Sequence, residues 1–280
     1  MANYLLSAFA DEYTSEFVGQ LQILKELGVD YLEIRGVDGT NVSELSYVQV
    51  KDVKLKLNDY GIKISSIGSP IGKIAIDKNL PEHYDKAKKV FETANYLDAK
   101  NIRMFSFYLP EGKSRQECKN QVFDALGNLV EIASQYGVTL CHENEANIYG
   151  ESPQLCKQIV DYFGGKIKCV FDMGNFVLDG YKPYPDGYEL LKDDIEYFHI
   201  KDSLSAGAIV PPGVGEASIK DILSAHKNYK KGNVFVTLEP HLQTFDGLNA
   251  LATKSFDNPY KYPNQQVAFL DAFGKLKELL

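Results

Sequence analysis

The sequence predicts a single α/β domain over residues 1–280, folded as a (β/α)8 TIM barrel. Three observations carry that prediction. Eight short apolar runs alternate with segments of helical period from one end of the chain to the other. Several of the helical segments stop at a glycine just before the next run, as left-handed helix caps do. The first run is followed by Ala10-Asp11-Glu12 rather than a glycine-rich phosphate loop, which sets aside a doubly wound open sheet.

The first strand is expected over Tyr4–Phe9. A helix over Ser15–Leu27 follows, with Phe17, Leu21, Leu24 and Leu27 on one face and Gly28 as its cap. The second strand is Tyr31–Ile34, and the third, Ile62–Ile67, begins directly after Gly61. The stretch His83–Leu97 places Tyr84, Ala87, Val90, Phe91 and Ala94 on one helical face and leads into the fourth strand, Asn101–Phe105. Gly137 closes the next helix ahead of the fifth strand, Val138–His142. The last three strands are Ile167–Phe171, Tyr197–Ile200 and Val234–Leu238, with a helix over Ser218–Tyr229 before the eighth. Near-continuous apolar strands imply a parallel sheet covered by helices, and eight such units close into a barrel whose active site lies at the C-terminal mouth. From Leu242 to Asn264, Gly247, Asn258, Pro259 and Pro263 interrupt the period, so this stretch is expected to be a long loop over the mouth, suited to a lid or a subunit contact.

Composition narrows the function. The formal net charge is -8, with no basic run, so a nucleic-acid backbone would be repelled. Lys86, Lys88 and Lys89 alternate with Asp85 and Glu92 as on a solvated helix face. Cys118, Cys141, Cys156 and Cys169 form no C-x-x-C pair, and Cys141 and Cys169 fall inside strand runs, as core thiols do. The start MANYLLSAFADE lacks the basic region of a signal peptide, and no apolar run reaches membrane-spanning length, so a cytoplasmic protein without membrane partners is expected.

Each of the last four strands ends in a residue able to bind a divalent cation: Glu143, Asp172, His199 and Glu239. In a barrel these meet at one mouth. Three carboxylates and one imidazole suit Mn²⁺ or Mg²⁺, and also accept Zn²⁺ or Co²⁺. The two-residue period of a strand puts Lys201 on the side of His199, and His241 on the side of Glu239, as contacts for substrate oxygens. His142 should point outward and pack. Glu33 is a further candidate for sugar hydroxyls, and Glu216 could reach the substrate from a bent loop or sit at the start of the following helix. Ser66, Ser69, Arg35 and Arg103 also follow strands; an Arg–Glu pair across the barrel and a substrate clamp are equal readings of the arginines.

Glu143-Asn144, the Phe171–Phe176 stretch, Phe198–Asp202, Pro211–Glu216 and Leu238-Glu239-Pro240 resemble the sugar phosphate isomerase/epimerase group of xylose-isomerase-like barrels. Ser66–Gly72 and Ala10-Asp11-Glu12 are similar to signatures of a branch that includes keto-sugar and keto-glycoside epimerases. The resemblance spans nearly the whole chain. It implies that Glu143, Asp172, His199 and Glu239 hold one metal, commonly manganese, and that Glu143 and Glu239 also form the acid/base pair. The position matching Asn175 is a histidine in some relatives, where it touches substrate; an amide there still bonds hydroxyls in either sense. The partner implied is a small-molecule carbohydrate, and relatives are often homo-oligomers.

The chemistry is coherent. A C–H beside a carbonyl is a weak acid, and a cation chelated by that carbonyl and an adjacent hydroxyl stabilises the resulting enediolate. Bases on opposite faces then give epimerisation, and reprotonation at the neighbouring carbon gives isomerisation. A dehydratase of a keto-cyclitol or dehydroshikimate-like acid would reuse the same parts, and a non-catalytic carbohydrate-binding subunit would retain the metal alone. Abasic-site endonucleases share the barrel architecture but need several zincs, more histidines and a basic face; five histidines and a net negative charge speak against that activity.

Overall fold

The structure, a computed structural model, describes residues 1–242 and 260–280. Most of the expected mouth loop, Leu242–Asn264, therefore lies outside the described residues. Eight parallel strands close a barrel in the order β1-β8-β7-β6-β5-β4-β3-β2. They are β1 (Ala2–Ala8), β2 (Tyr31–Ile34), β3 (Lys63–Ile67), β4 (Asn101–Met104), β5 (Thr139–Glu143), β6 (Ile167–Asp172), β7 (Ile195–Ile200) and β8 (Gly232–Leu238). The α/β barrel predicted from the alternating pattern is thus the fold of the chain.

The outer ring contains α1 (Phe17–Leu27), α2 (Tyr47–Tyr60), α3 (Leu80–Tyr96), α4 (Arg115–Tyr136) and α5 (Pro153–Tyr162), then the short α6 (Met173–Leu178) and α7 (Tyr188–Leu191), and finally α8 (Ile219–Tyr229) and α9 (Gln265–Leu279). Capping boxes start α2 (Ser46 with Gln49) and α4 (Ser114 with Glu117). Gly28, Gly61 and Gly137 close α1, α2 and α4 in the left-handed conformation, as the sequence predicts. No helix among the described residues is long and apolar enough to cross a membrane.

Three strands begin earlier than their apolar runs. β1 starts at Ala2 and β8 at Gly232, which pair with each other, and β7 starts at Ile195, which pairs with Cys169. The β1–β8 ladder runs through the polar pair Asn3 and Asn233, whereas in β7 a register shift leaves Glu196 as a bulge between the paired Ile195 and Tyr197.

Inward-facing residues stack in layers. Tyr31 and Phe235 meet edge to face, with ring centroids 4.9 Å apart. Cys141, Val170 and Tyr197 cluster with Phe235. One step further along β5, β6 and β7, the same alternation delivers Glu143, Asp172 and His199 to the mouth. His142, on the opposite face of β5, is buried in a packing position with its Nε2 2.9 Å from Ser106 Oγ.

Candidate active site

Glu143, Asp172, His199 and Glu239 converge: each offers a ligand atom, all within 4.8 Å of one another, and all four residues are buried. His199 is central. Its Nδ1 lies 2.8 Å from Glu143 Oε1 and 3.2 Å from Glu239 Oε2, whereas its Nε2 lies 3.1 Å from Glu33 Oε2. Tyr197 Oη donates to the other oxygen of Glu33 at 3.0 Å. Glu33 is fully buried. Its two carboxylate oxygens thus face Tyr197 and His199. A register shift between Leu32 and Glu33 aligns Glu33 with Ser66, whose hydroxyl is 2.9 Å from Tyr197 Oη.

Asp172 ends β6 and caps α6, its Oδ1 accepting the Asn175 N–H at 2.8 Å. Asn144 ties β5 to β6 through two bonds to the Asp172 backbone, at 2.8 and 3.0 Å. Asn175 donates to the Asn144 carbonyl at 2.9 Å and accepts from Lys201 Nζ at 3.1 Å. Lys201 Nζ also donates to Asp172 Oδ2 at 2.9 Å and Glu239 Oε2 at 3.4 Å. Gly174 makes this approach achievable, because a Cβ there would sit 2.7 Å from the Lys201 carbonyl oxygen. Asp202, the neighbour of Lys201, turns away and accepts the N–H groups of Ser203, Gly213, Gly215 and Ala217, shaping the proline- and glycine-bent loop. Glu216 in that loop accepts from Ser205 N and Oγ at an exposed position, 3.3 and 3.2 Å. Glu216 thus bonds within its own loop.

The arginines bridge the barrel. Arg35 pairs with Asp11 (2.8 Å), Glu12 (3.2 Å) and Glu239 (2.9 Å). Arg103 Nη1 lies 3.3 Å from Glu143 Oε2 and 3.4 Å from Glu239 Oε1. Both guanidinium groups lie over the Phe9 ring, at 4.2 and 5.0 Å from its centroid. His241 has a positive φ of 49°. Its N–H donates to Glu12 Oε2 at 2.8 Å, and its Nε2 lies 3.4 Å from Glu239 Oε1. Glu12, Glu239 and His241 also form a group with donors within 4.8 Å, and Arg35 pairs with both of its carboxylates.

The electrostatics indicate a place short of positive charge. Burial, with Glu143 and Glu239 nearby, pushes Asp172 up to about 7 despite Lys201. Burial alone would lower His199, yet Glu33, Glu143 and Glu239 hold it well above its ordinary value. Burial opposes ionisation of Glu239, but Lys201 and the imidazoles of His241 and His199 keep it well below the usual carboxylate range. Glu143 Oε2 is buried without a hydrogen bond. A hard divalent cation fits this donor set. His199 Nδ1 is the nitrogen on the side of Glu143 and Glu239, and Glu33 fixes the opposite nitrogen, an arrangement that orients an imidazole for metal binding.

Lys73 and Glu145 were not singled out in the sequence. Their ends meet at 2.7 Å, with Lys73 Nζ 4.3 Å above the Phe105 ring. The available signal was the position of Glu145, two residues beyond Glu143 in strand period.

A closed parallel barrel with three carboxylates and an imidazole gathered at its C-terminal mouth defines a barrel protein with a candidate metal centre. The sequence profile of the xylose isomerase-like TIM barrel family matches residues 21–255, and the chain belongs to that family. No curated protein matches it in sequence. Among solved structures, the IOLI protein with a bound zinc atom superposes with a TM-score of 0.75 at 19% identity, covering 99% of this chain and 97% of that one. D-psicose 3-epimerase with D-tagatose from Clostridium cellulolyticum H10 gives 0.73 at 14% identity, covering 98% of each chain. The probable 3-DHS dehydratase AsbF from Bacillus anthracis gives 0.73 at 17% identity, covering 100% of this chain and 98% of that one. At these identities the likeness concerns the fold.

Proposed function

We propose that this protein is a divalent-metal-dependent epimerase or isomerase of a keto-sugar, free or glycosidically linked, with Mn²⁺ the favoured ion. The observation that carries the reading is the pairing of Glu143 and Glu239, which come from β5 and β8 and both border His199 Nδ1. Glu143, Asp172, His199 and Glu239 would hold the ion, which would supply Lewis acidity for the loss of a proton alpha to the substrate carbonyl. One glutamate takes the proton alpha to the carbonyl and the other returns a proton to the opposite face or to the neighbouring carbon. Lys201 and Asn175 hold substrate oxygens, and His241, with Glu12 on its backbone N–H, does the same beside Glu239. The likeness to D-psicose 3-epimerase supports the choice of substrate.

Incubation of Mn²⁺-loaded protein with ketoses and 3-keto-glycosides in D₂O, followed by NMR, tests the proposal. Deuterium should appear at the carbon alpha to the carbonyl together with an epimer or aldose. Binding of a sugar without label incorporation would mark a carbohydrate-binding protein, and loss of water from the substrate would mark a dehydratase.

A further inference from the structure

The Lys73–Glu145 pair lies on a braced platform beside the site. Phe105 N donates to the Ile71 carbonyl at 2.8 Å, Tyr108 N to Ile74 at 3.0 Å, Ile76 N to Tyr108 at 3.0 Å, and Tyr149 N to Phe107 at 3.1 Å. Those bonds stitch together the loops that follow β3, β4 and β5. Gly72, immediately before Lys73, has φ +85°, and a Cβ there would lie 2.0 Å from the Phe105 carbonyl oxygen, so the loop runs flush against its neighbour. Its N–H is held by His83 Nε2 at 2.8 Å. The side chain of Lys73 is 9% exposed, whereas that of Glu145 is 29% exposed. The Phe105 ring that carries Lys73 Nζ at 4.3 Å also carries the Arg103 guanidinium at 5.2 Å, which places the pair next to the site.

Every cation described at the mouth is committed to a carboxylate: Arg35 to Asp11, Glu12 and Glu239, Arg103 to Glu143 and Glu239, Lys201 to Asp172 and Glu239, and Lys73 to Glu145. Among the described residues, with Glu33 included, these carboxylates outnumber the paired lysines and arginines seven to four. Among the described residues an anionic substrate would meet no uncommitted cation there and would approach the partly buried carboxylate of Glu145. A hydroxyl, by contrast, can donate to Glu145 and accept from Lys73.

From this arrangement we infer that Lys73 and Glu145 form a specificity pair that takes hydroxyls of an uncharged polyol end of the substrate and excludes phosphorylated or carboxylated analogues. The inference rests on the ketose reading above and deepens it.

The test measures deuterium exchange in D₂O, with Mn²⁺-loaded protein, for neutral ketohexoses and for their 6-phosphates. The neutral sugars should exchange at least about 100-fold faster, as kcat/KM, and Glu145→Gln, which frees Lys73, should narrow that preference at least about tenfold while circular dichroism stays native. Equal or faster exchange of the phosphates by the wild type, or an unchanged preference in Glu145→Gln, overturns the inference while leaving the isomerase reading intact. If neither substrate exchanges, the isomerase reading fails, and thermal stabilisation of the same protein decides the inference. Stabilisation by the neutral sugar alone upholds it, and stabilisation by the phosphate, or by neither, overturns it.

Discussion

Glu33 Oε2 stands 3.1 Å from His199 Nε2, on the side of the ring opposite the Nδ1 that faces Glu143 and Glu239. A carboxylate in that position fixes both the tautomer and the tilt of a ligating imidazole. Glu33→Gln should therefore weaken Mn²⁺ binding by roughly 10–100-fold, read by metal titration, while the fold persists. Unchanged affinity would remove Glu33 from this supporting role.

Glu143→Gln and Glu239→Gln keep side-chain shape and remove the proton-accepting charge. Each should lower kcat for deuterium exchange by roughly 10²–10⁴-fold in metal-saturated protein. Saturation must be verified in each variant, because both residues are also candidate ligands. Substantial turnover in either saturated variant would exclude that glutamate from acid/base work.

Arg35 satisfies three carboxylates within the barrel, and its removal would leave Asp11, Glu12 and Glu239 facing one another. Arg35→Met should lower unfolding stability by roughly 3–5 kcal/mol in urea titrations. Arg35→Lys should recover only part of this, since an ammonium cannot reproduce the two parallel bonds to Asp11 at 2.8 and 2.9 Å. Full recovery with lysine would show that charge alone is needed.

His226 is buried among Tyr188, Phe198 and Tyr229, and burial, with Lys230 nearby, lowers its imidazole to about 4. Burial and Lys86 lower His83 to about 4 as well. The unfolded chain takes up these protons below its ordinary value of 6.5, whereas the folded chain resists until about 4, so stability declines across that interval and levels off beneath it. Each group accounts for up to roughly 3 kcal/mol of the decline. Urea unfolding at pH 7 and pH 4.5 should show a smaller loss for His226→Phe than for the wild type. An equal loss would place the acid sensitivity elsewhere.

The fold was legible because each barrel strand is an apolar run and three helices end at glycines that only a left-handed cap requires. The starts of β1, β7 and β8 were not, since backbone pairing runs on through Asn3 and Asn233 whatever their side chains, and β7 extends past a bulge at Glu196. At the site, Glu143, Asp172, His199 and Glu239 were visible as polar residues where apolar runs stop, and the structure brings them together. The contacts of Glu33 were not legible, because a register shift and a tyrosine hydroxyl decide its surroundings. Lys73 and Glu145 meet across more than seventy residues of sequence, and no local pattern announces such a contact.

The mouth is chemically lopsided. The four candidate ligands come from β5 to β8, while the guanidinium groups enter from β2 and β4 and rest on Phe9. A guest reversed end for end would exchange an oxygen-rich cradle for a wall of paired charges. On the function proposed above, the site would therefore read the direction in which a substrate lies before any bond breaks.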